Sequence, residues 1–423
     1  MSKKVVIVGG QRIPFARSMT SYGRIGNREL MTAAVRAVVD KFNLKNLELG
    51  EVVLGAVMKH SSDWNMAREV TLSSGLSPRT PAYDIQQACG TSLEATILVA
   101  NKIALGQIDA GIAGGTDTNS DLPFVFPDTF GHKMLDAYKS KTASERVLNY
   151  LKLRPSDLKP IAPAVIEPRT GLSMGQSCEL MAQQWNISRA DQDALALASH
   201  QNAAKAYQEG FYNDLVVAFN GVKTDSNVRS DTSLEKLAKL KPVFERSEKG
   251  TITAGNASPL TDGAAAVLLA SEDYAKAMGW PILAEFTFSQ VAAVDFVKDE
   301  GLLMAPAYAV PKLLKRAGLK LQDFDYYEIH EAFAAQVLCT LKAWESASFC
   351  KDKLGLDQPL GSIDRSKMNV KGGSVAIGHP FAATGARIVT SLAKMLNQKG
   401  SGRGLISVCT AGGMGVTAII EKK

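Results

Sequence analysis

The chain of 423 residues, 46% hydrophobic and 21% charged, has the make-up of a globular enzyme with a large core and room for two or three domains. Its 48 Lys and Arg against 42 Asp and Glu leave an excess of +6 spread over many stretches, with no basic stripe interleaved with aromatics. That argues against nucleic acid and suits a phosphate-bearing substrate. Five cysteines without paired or metal-ligand spacing exclude a disulfide framework, predict no metal site and point to a reducing compartment. Met1-Ser-Lys-Lys leads straight into Val5-Val-Ile-Val, and no apolar run approaches about eighteen residues, so the expected location is the cytoplasm.

Residues 4–9 read as a strand closed by Gly9-Gly10, 12–17 as a loop, and 27–42 as an amphipathic helix with Leu30, Ala33, Ala34 and Val38 on one side. A strand at 52–57 and a helix at 63–75 follow. An extended piece then ends at Cys89, and helix-compatible residues run from Gly90 to Gly106. Residues 110–116 read as a strand ending in a tight turn at Gly114-Gly115. This alternation predicts a mostly parallel sheet with covered faces.

From 121 to 245 the pattern changes to Pro-rich loops with helices among them. Gly131–Arg154 carries six basic and two acidic residues, and Thr142-Ala-Ser-Glu145 has the form of a capping box. Met134, Leu135 and Tyr138, then Val147, Leu148 and Leu151, give this helical hairpin an apolar side. It reads either as a surface that rests on a membrane or partner, or as a packed lid with a solvated basic face; the packed lid is the favoured expectation. Ser188-Arg-Ala-Asp191 caps a helix through Tyr207, in which His200 reads as a packed histidine. His60 and His132 read as loop residues.

After Ile282 the opening pattern recurs. A helix (307–317) and a strand (326–329) end at His330. Further on, Gly372–Gly378 leads to His379-Pro380 and a helix to Asn397, and a strand (405–408) ends in Cys409-Thr-Ala-Gly-Gly. On this reading His379 takes the Cys89 position as the N-cap of its helix, with Pro380 at N1, and Gly412-Gly413 answers Gly114-Gly115. Two similar halves packed about a local two-fold would bring Cys89 and His379 together, with Cys409 and His330 able to enter the same pocket. Between Arg79 and Lys102 no Lys, Arg or His is available to activate Cys89. A helix start would do so by favouring the thiolate; the alternative is a buried structural cysteine. Cys178, Cys339 and Cys350 read as packing residues.

Seven stretches carry a resemblance. They are Arg12-Ile-Pro-Phe, Ala88-Cys-Gly-Thr-Ser, Ser188–Ala204, Thr253–Ala265, His330-Glu-Ala-Phe-Ala, Gly372–Pro380 and Cys409–Gly415. In that order over almost the whole length, the sequence resembles the thiolase family. The resemblance implies an α/β fold, a duplicated five-layer αβαβα thiolase fold with an inserted loop domain. Its parts would be a first half (1–120 with 246–281), the loop domain (121–245) and a second half (282–423). It implies reversible thiolysis of a 3-ketoacyl-CoA, with CoA as co-substrate and no permanently bound cofactor. Cys89 would attack the keto carbon, His379 take its proton, and Cys409 protonate the departing acetyl-CoA carbanion. The N–H groups of Cys89 and Ala411 would hold one oxyanion; His379 and a water positioned by His330 would hold the other. Ser258 and Met174 would touch the pantetheine arm.

Where many thiolases have asparagine this chain has His330, which looks like the trifunctional-enzyme β-subunit group, as does the basic hairpin. That tilts the reading towards β-oxidation of medium or long chains, with an acetoacetyl-CoA-specific thiolase as the alternative. Ala411 and Ala382 stand where glycine is usual. The implied partners are acyl-CoA and CoA, a homodimer or tetramer, an α-subunit of a β-oxidation complex, and peripheral membrane contact through 131–154. A decarboxylating ketoacyl synthase would use a cysteine and two histidines but has no need of Cys409. A silent acyl-CoA carrier would need the pocket but not the nucleophile.

Overall fold

In the computed structural model, which describes residues 2–163 and 165–423, ten strands organise the chain. They are β1 (Val5–Arg12), β2 (Ala16–Arg17), β3 (Glu51–Leu54), β4 (Ala82–Asp84), β5 (Ala110–Asp117), β6 (Thr261–Ser271), β7 (Ala284–Ala293), β8 (Tyr326–Ile329), β9 (Gly402–Thr410) and β10 (Met414–Lys422). Their order is β4-β3-β5-β6-β1-β7-β10-β9-β8, with β2 on β6. The junction between β1 and β7 is two residue pairs wide, Val6 with Glu285 and Ile7 with Ala284. On either side of it the order repeats: β4-β3-β5-β6-β1 is answered by Met368-β8-β9-β10-β7, with Met368 forming an isolated bridge to Tyr327. The duplication read from sequence is therefore a duplication of topology.

The two halves differ most in one connection. β9 and β10 are joined by the short turn Ala411-Gly412-Gly413, whereas β5 and β6 are separated by residues 118–260, within which the expected loop domain (121–245) falls.

The period-2 alternation of buried strands assigns the layers. Val5 and Ile7 of β1, with Ala265, Val267 and Leu269 of β6, face one cluster together with Ile406 and Val408 of β9 and Val416, Ala418 and Ile420 of β10. That cluster also holds the helices Thr91–Ala104 and Thr384–Lys399, so both half-sheets face the same helical pair. The alternate residues Val6, Val8, Ala264 and Leu268 pack outward on the helices Asn27–Lys41 and Met66–Ser74. Leu405 and Ile419 pack outward on Ala305–Ala317 and Ala334–Glu345. Helix, sheet, helix pair, sheet, helix gives five layers. The two central helices touch closely: Ser92 Oγ accepts from Ala386 N at 2.8 Å, and a Cβ on Gly385 would lie 2.3 Å from Leu93 N.

Several expectations are corrected. The sheet is mixed: β3–β4, β3–β5 and β8–β9 are parallel, but every pairing of β1, β6, β7 and β10 is antiparallel. β1 runs through Gly9-Gly10 to Arg12, with a bulge between Ile7 and Gly9. β4 ends at Asp84, so a loop, not a strand, delivers Cys89. Gly114 and Gly115 are not a turn but lie inside β5, paired with Ala266 and Ala265. They are glycines for close approach, since a Cβ on Gly115 would sit 2.1 Å from the Ala382 carbonyl oxygen. Nor is His379 an N-cap: a short turn at Phe381–Ala383 intervenes and the helix begins at Thr384. Counted from the helix start, the counterpart of Cys89 is Ala382.

His132 lies in a helix, Asp128–Lys139, and not in a loop. That helix and Ala143–Tyr150 form the expected hairpin, with the Thr142–Glu145 capping box in place. Its apolar side is not packed: Tyr138 is 82% exposed, Leu148 60% and Leu151 74%. The packed-lid expectation is not met within this chain: the helices touch each other and the turn at 155–158, and among the described residues their apolar stripe stays exposed.

Candidate active site

Four segments of the chain, carrying Cys89, His379, Cys409 and His330, converge at the ends of the strands. The first, Ile85–Gly90, follows β4. Ala88 has a φ of 45°, a left-handed backbone held by a residue other than glycine, and this bend presents Cys89 one residue before Gly90, the N-cap of Thr91–Ala104. Gly90 must be small, because a Cβ there would meet the methyl groups of Val416 at 2.7 Å and Thr410 at 2.9 Å. The Cys89 loop thus rests directly on the end of β9, beside Cys409.

The second loop carries His379, whose Nε2 lies 3.0 Å from Cys89 Sγ. Three contacts aim the ring. Nδ1 is 2.6 Å from Thr384 Oγ1, the backbone N–H donates to Thr261 Oγ1 at 2.7 Å, and Asp117 draws in the following segment by accepting from Ala382 N at 2.8 Å. Asp117 also accepts from Val57 and Met58 N–H, and its burial raises the carboxyl to about 7. Residues 290 apart in sequence are therefore in hydrogen-bond contact.

Burial raises the Cys89 thiol to about 12, partly offset by N–H groups of Ala411 and Cys89 itself donating toward the sulfur. Burial, with the Arg387 cation, lowers His379 to about 3. Desolvation opposes the thiolate that a helix start would favour, and both groups are shifted toward their neutral forms, a thiol beside an imidazole. Proton transfer from Sγ to Nε2 can then accompany attack. Ala411 is outside the left-handed region, which falls to Gly412 (φ 76°) and Gly413 (φ 70°), so alanine is tolerated there.

Cys409 is the penultimate residue of β9, buried, its thiol raised well above the ordinary range by desolvation and by Cys89, against donation from its own N–H and that of Ala332. His330 is fully buried after β8, its ring centroid 4.1 Å from that of His379. The structure thus gathers Cys89, His379, Cys409 and His330. Donor atoms of Cys89, His330 and His379 lie within 4.8 Å of one another, compact enough to grip a soft metal ion, though the thiol and His379 are already engaged with each other.

Ser258 donates from Oγ to Ala332 O at 2.9 Å, next to the His330 loop. Met174 is half-buried at the head of Met174–Gln184, against the cluster that includes Phe333 and Cys409. Cys178, Cys339 and Cys350 are buried packing residues, and His200 is buried with Nδ1 accepting from Arg229 N.

Sequence reading assigned no part to Thr261, Thr384, Asp117, Glu331 or Asn369. Glu331 accepts from Ser199 Oγ (2.7 Å), Asn369 Nδ2 (2.6 Å) and Val375 N (3.1 Å), tying the His330 loop to the segment before His379. Gly373 must be glycine beside it, since a Cβ would lie 2.1 Å from its carboxyl carbon. Thr261 and Glu331 stood inside recognised motifs; nothing local marked Asp117 as a partner of residue 382.

The chain is similar to known proteins over nearly its whole length. Residues 5–273 match the family described as thiolase, N-terminal domain, and residues 280–422 match thiolase, C-terminal domain. The chain is 43% identical over 424 residues to a 3-ketoacyl-CoA thiolase of Yersinia pestis (strain Pestoides F), covering 99% of this chain and 97% of that protein. In structure it is similar to the Bacillus anthracis acetyl-CoA acetyltransferase, with TM-score 0.82 and 31% identity over 99% of both chains. It is likewise similar to the Acat5 thiolase from Ascaris suum in complex with coenzyme A, with TM-score 0.82 and 27% identity over 100% of both.

Proposed function

The chain belongs to the thiolase family, and from that premise we propose how its residues divide the work. It is an acyltransferase that catalyses the reversible thiolysis of a 3-ketoacyl-CoA by CoA, giving acetyl-CoA and a shortened acyl-CoA. The observation that carries the residue roles is the 3.0 Å approach of His379 Nε2 to Cys89 Sγ.

Cys89 Sγ attacks the 3-keto carbon as its proton passes to His379. The Cys89 and Ala411 N–H groups receive the resulting oxyanion. The C2–C3 bond then breaks; the electron pair stays on C2 of the departing acetyl-CoA and takes a proton from Cys409. His379, with a water held by His330, faces the enolate oxygen. In the second half-reaction the CoA thiol gives its proton to Cys409 and attacks the acyl carbonyl, and Cys89 leaves and recovers its proton from His379. Ser258 and Met174 line the path of the pantetheine arm, and CoA enters as co-substrate.

The 43% identical relative is named a 3-ketoacyl-CoA thiolase, which favours degradation of longer chains over the acetoacetyl-CoA-specific alternative. The chain would work in the cytoplasm; among the described residues no helix is long and apolar enough to cross a membrane. The division into 1–120 with 246–281, 121–245 and 282–423, a homodimer or tetramer, and an α-subunit partner belong to the same reading.

The test is Cys409→Ala. It should still take an acyl group from acyl-CoA onto Cys89, seen by mass spectrometry, yet lose carbon–carbon cleavage by at least about a hundredfold. Cleavage retained without acylation would reverse the roles of the two thiols.

A further inference from the structure

His330 can serve the reaction as a donor only if its proton sits on the nitrogen facing the site, and an imidazole, unlike an amide, has two neutral forms. The surroundings of its ring decide between them. Nδ1 lies 2.9 Å from Ser374 Oγ, while Nε2 is buried and has no partner among the described residues. Ser374 Oγ also lies 2.9 Å from Arg387 Nη2, and a guanidinium can only donate. The serine oxygen therefore accepts from Arg387 and has one hydrogen of its own to give.

Both hydroxyl contacts of Ser374 are accounted for by Arg387 and His330, and all three side chains are buried. If Nδ1 carried the proton, the serine hydrogen would have no acceptor among the described side chains, an arrangement that buried polar groups avoid. If both nitrogens were protonated, the same hydrogen would be stranded, and an imidazolium would stand near the Arg387 cation. Burial, His379 and Arg387 all disfavour that charge. Glu328 Oε2 stands 3.8 Å from Arg387 Nη1, a charge-pair distance without a hydrogen bond.

We propose that Ser374 and Arg387 are positioning residues that lock His330 in the Nε2–H tautomer, making it a permanent hydrogen-bond donor to the reaction centre. The chain Arg387 Nη2–H to Ser374 Oγ–H to His330 Nδ1 runs one way, and the donation from the guanidinium polarises the serine hydroxyl into a stronger donor. Neither residue touches substrate; they act only through the imidazole. The catalytic consequence rests on the role given to His330 above, whereas the tautomer itself does not.

Two measurements test it. The chain has five histidines, so selective 15N-histidine labelling with long-range 1H–15N correlation resolves each ring, and His330→Asn assigns the signal by its loss. Residue 330 should show a protonated Nε2 and a bare Nδ1 in the resting wild-type enzyme; a protonated Nδ1, or both protonated, would overturn the proposal. The second measurement is a cycle in thiolysis. Ser374→Ala should lower kcat by at least about tenfold with His330 present, and by less than about twofold in the His330→Asn background, where an amide needs no tautomer control. Equal losses in both backgrounds would mean a merely structural serine and would overturn the proposal. If His330→Asn alone left thiolysis unchanged, the catalytic role of His330 would fall, while the resonance experiment would still judge the tautomer.

Discussion

At the scale of single residues, burial governs the chemistry more than the helix start does. Cys89 has partial exposure, while Cys178, Cys339, Cys350 and Cys409 are buried. Access therefore makes Cys89 the first to react with iodoacetamide, and its acidity sets how the rate varies with pH. With the thiol raised to about 12 and His379 lowered to about 3, neither group titrates between pH 6 and 9. The thiolate fraction, and with it the alkylation rate of the free enzyme, should climb about tenfold per pH unit from 7 to 10. Peptide mapping of time courses would show it; a plateau already at pH 7 would mean a resting thiolate. The residue types at 89, 330, 379 and 409 were legible in the sequence as a nucleophile with acid–base partners. The direction in which the thiol is shifted was not, because desolvation depends on what packs around a group.

At the scale of elements, the site depends on how the insert is fastened to the sheet. Arg12 at the end of β1 makes a paired contact with Asp225, 2.6 and 2.7 Å, and the same carboxylate accepts from Phe15 N and Tyr207 Oη. The Arg12 guanidinium also stands over the Phe15 and Tyr212 rings. Both charged partners are buried, so removing one strands the other. Arg12→Met should lower stability by about 3–5 kcal/mol, read from the urea midpoint, and the Arg12→Met/Asp225→Asn pair should lose less than the single change. Additive losses would show that the two side chains are not coupled. The Arg12-Ile-Pro-Phe motif was visible in sequence as a loop. Its partner, 213 residues away, was not, since a lone aspartate in a loop-rich stretch carries no local mark.

At the scale of the whole molecule, the hairpin at 128–150 and its flanks present a cluster of exposed apolar side chains. Phe124, Phe126, Leu135, Tyr138, Val147, Leu148 and Leu151 face outward in a stretch rich in lysine and arginine. Apolar residues with a basic surround favour peripheral contact with an anionic surface. The intact protein should co-sediment with vesicles containing phosphatidylserine at low salt. Leu148→Asp with Leu151→Asp should weaken that binding at least about tenfold while thiolysis in solution is unchanged. Equal sedimentation of the variant would remove the hairpin as the contact.

The sequence by itself determined the α/β class, the recurrence of one pattern in two halves, and the residues that carry the chemistry. Those follow from local periodicity, glycine placement and side-chain type, all of which are written along the chain. Only the tertiary structure decided that β5 and β6 are antiparallel neighbours with the insert between them, and that Gly114-Gly115 is a contact surface rather than a turn. It also decided that Ala382, not His379, stands where Cys89 does. Strand pairing, close approach and the first residue of a helix are set by what lies across a gap in space, and neither a hydrophobic pattern nor a motif encodes the far side of that gap.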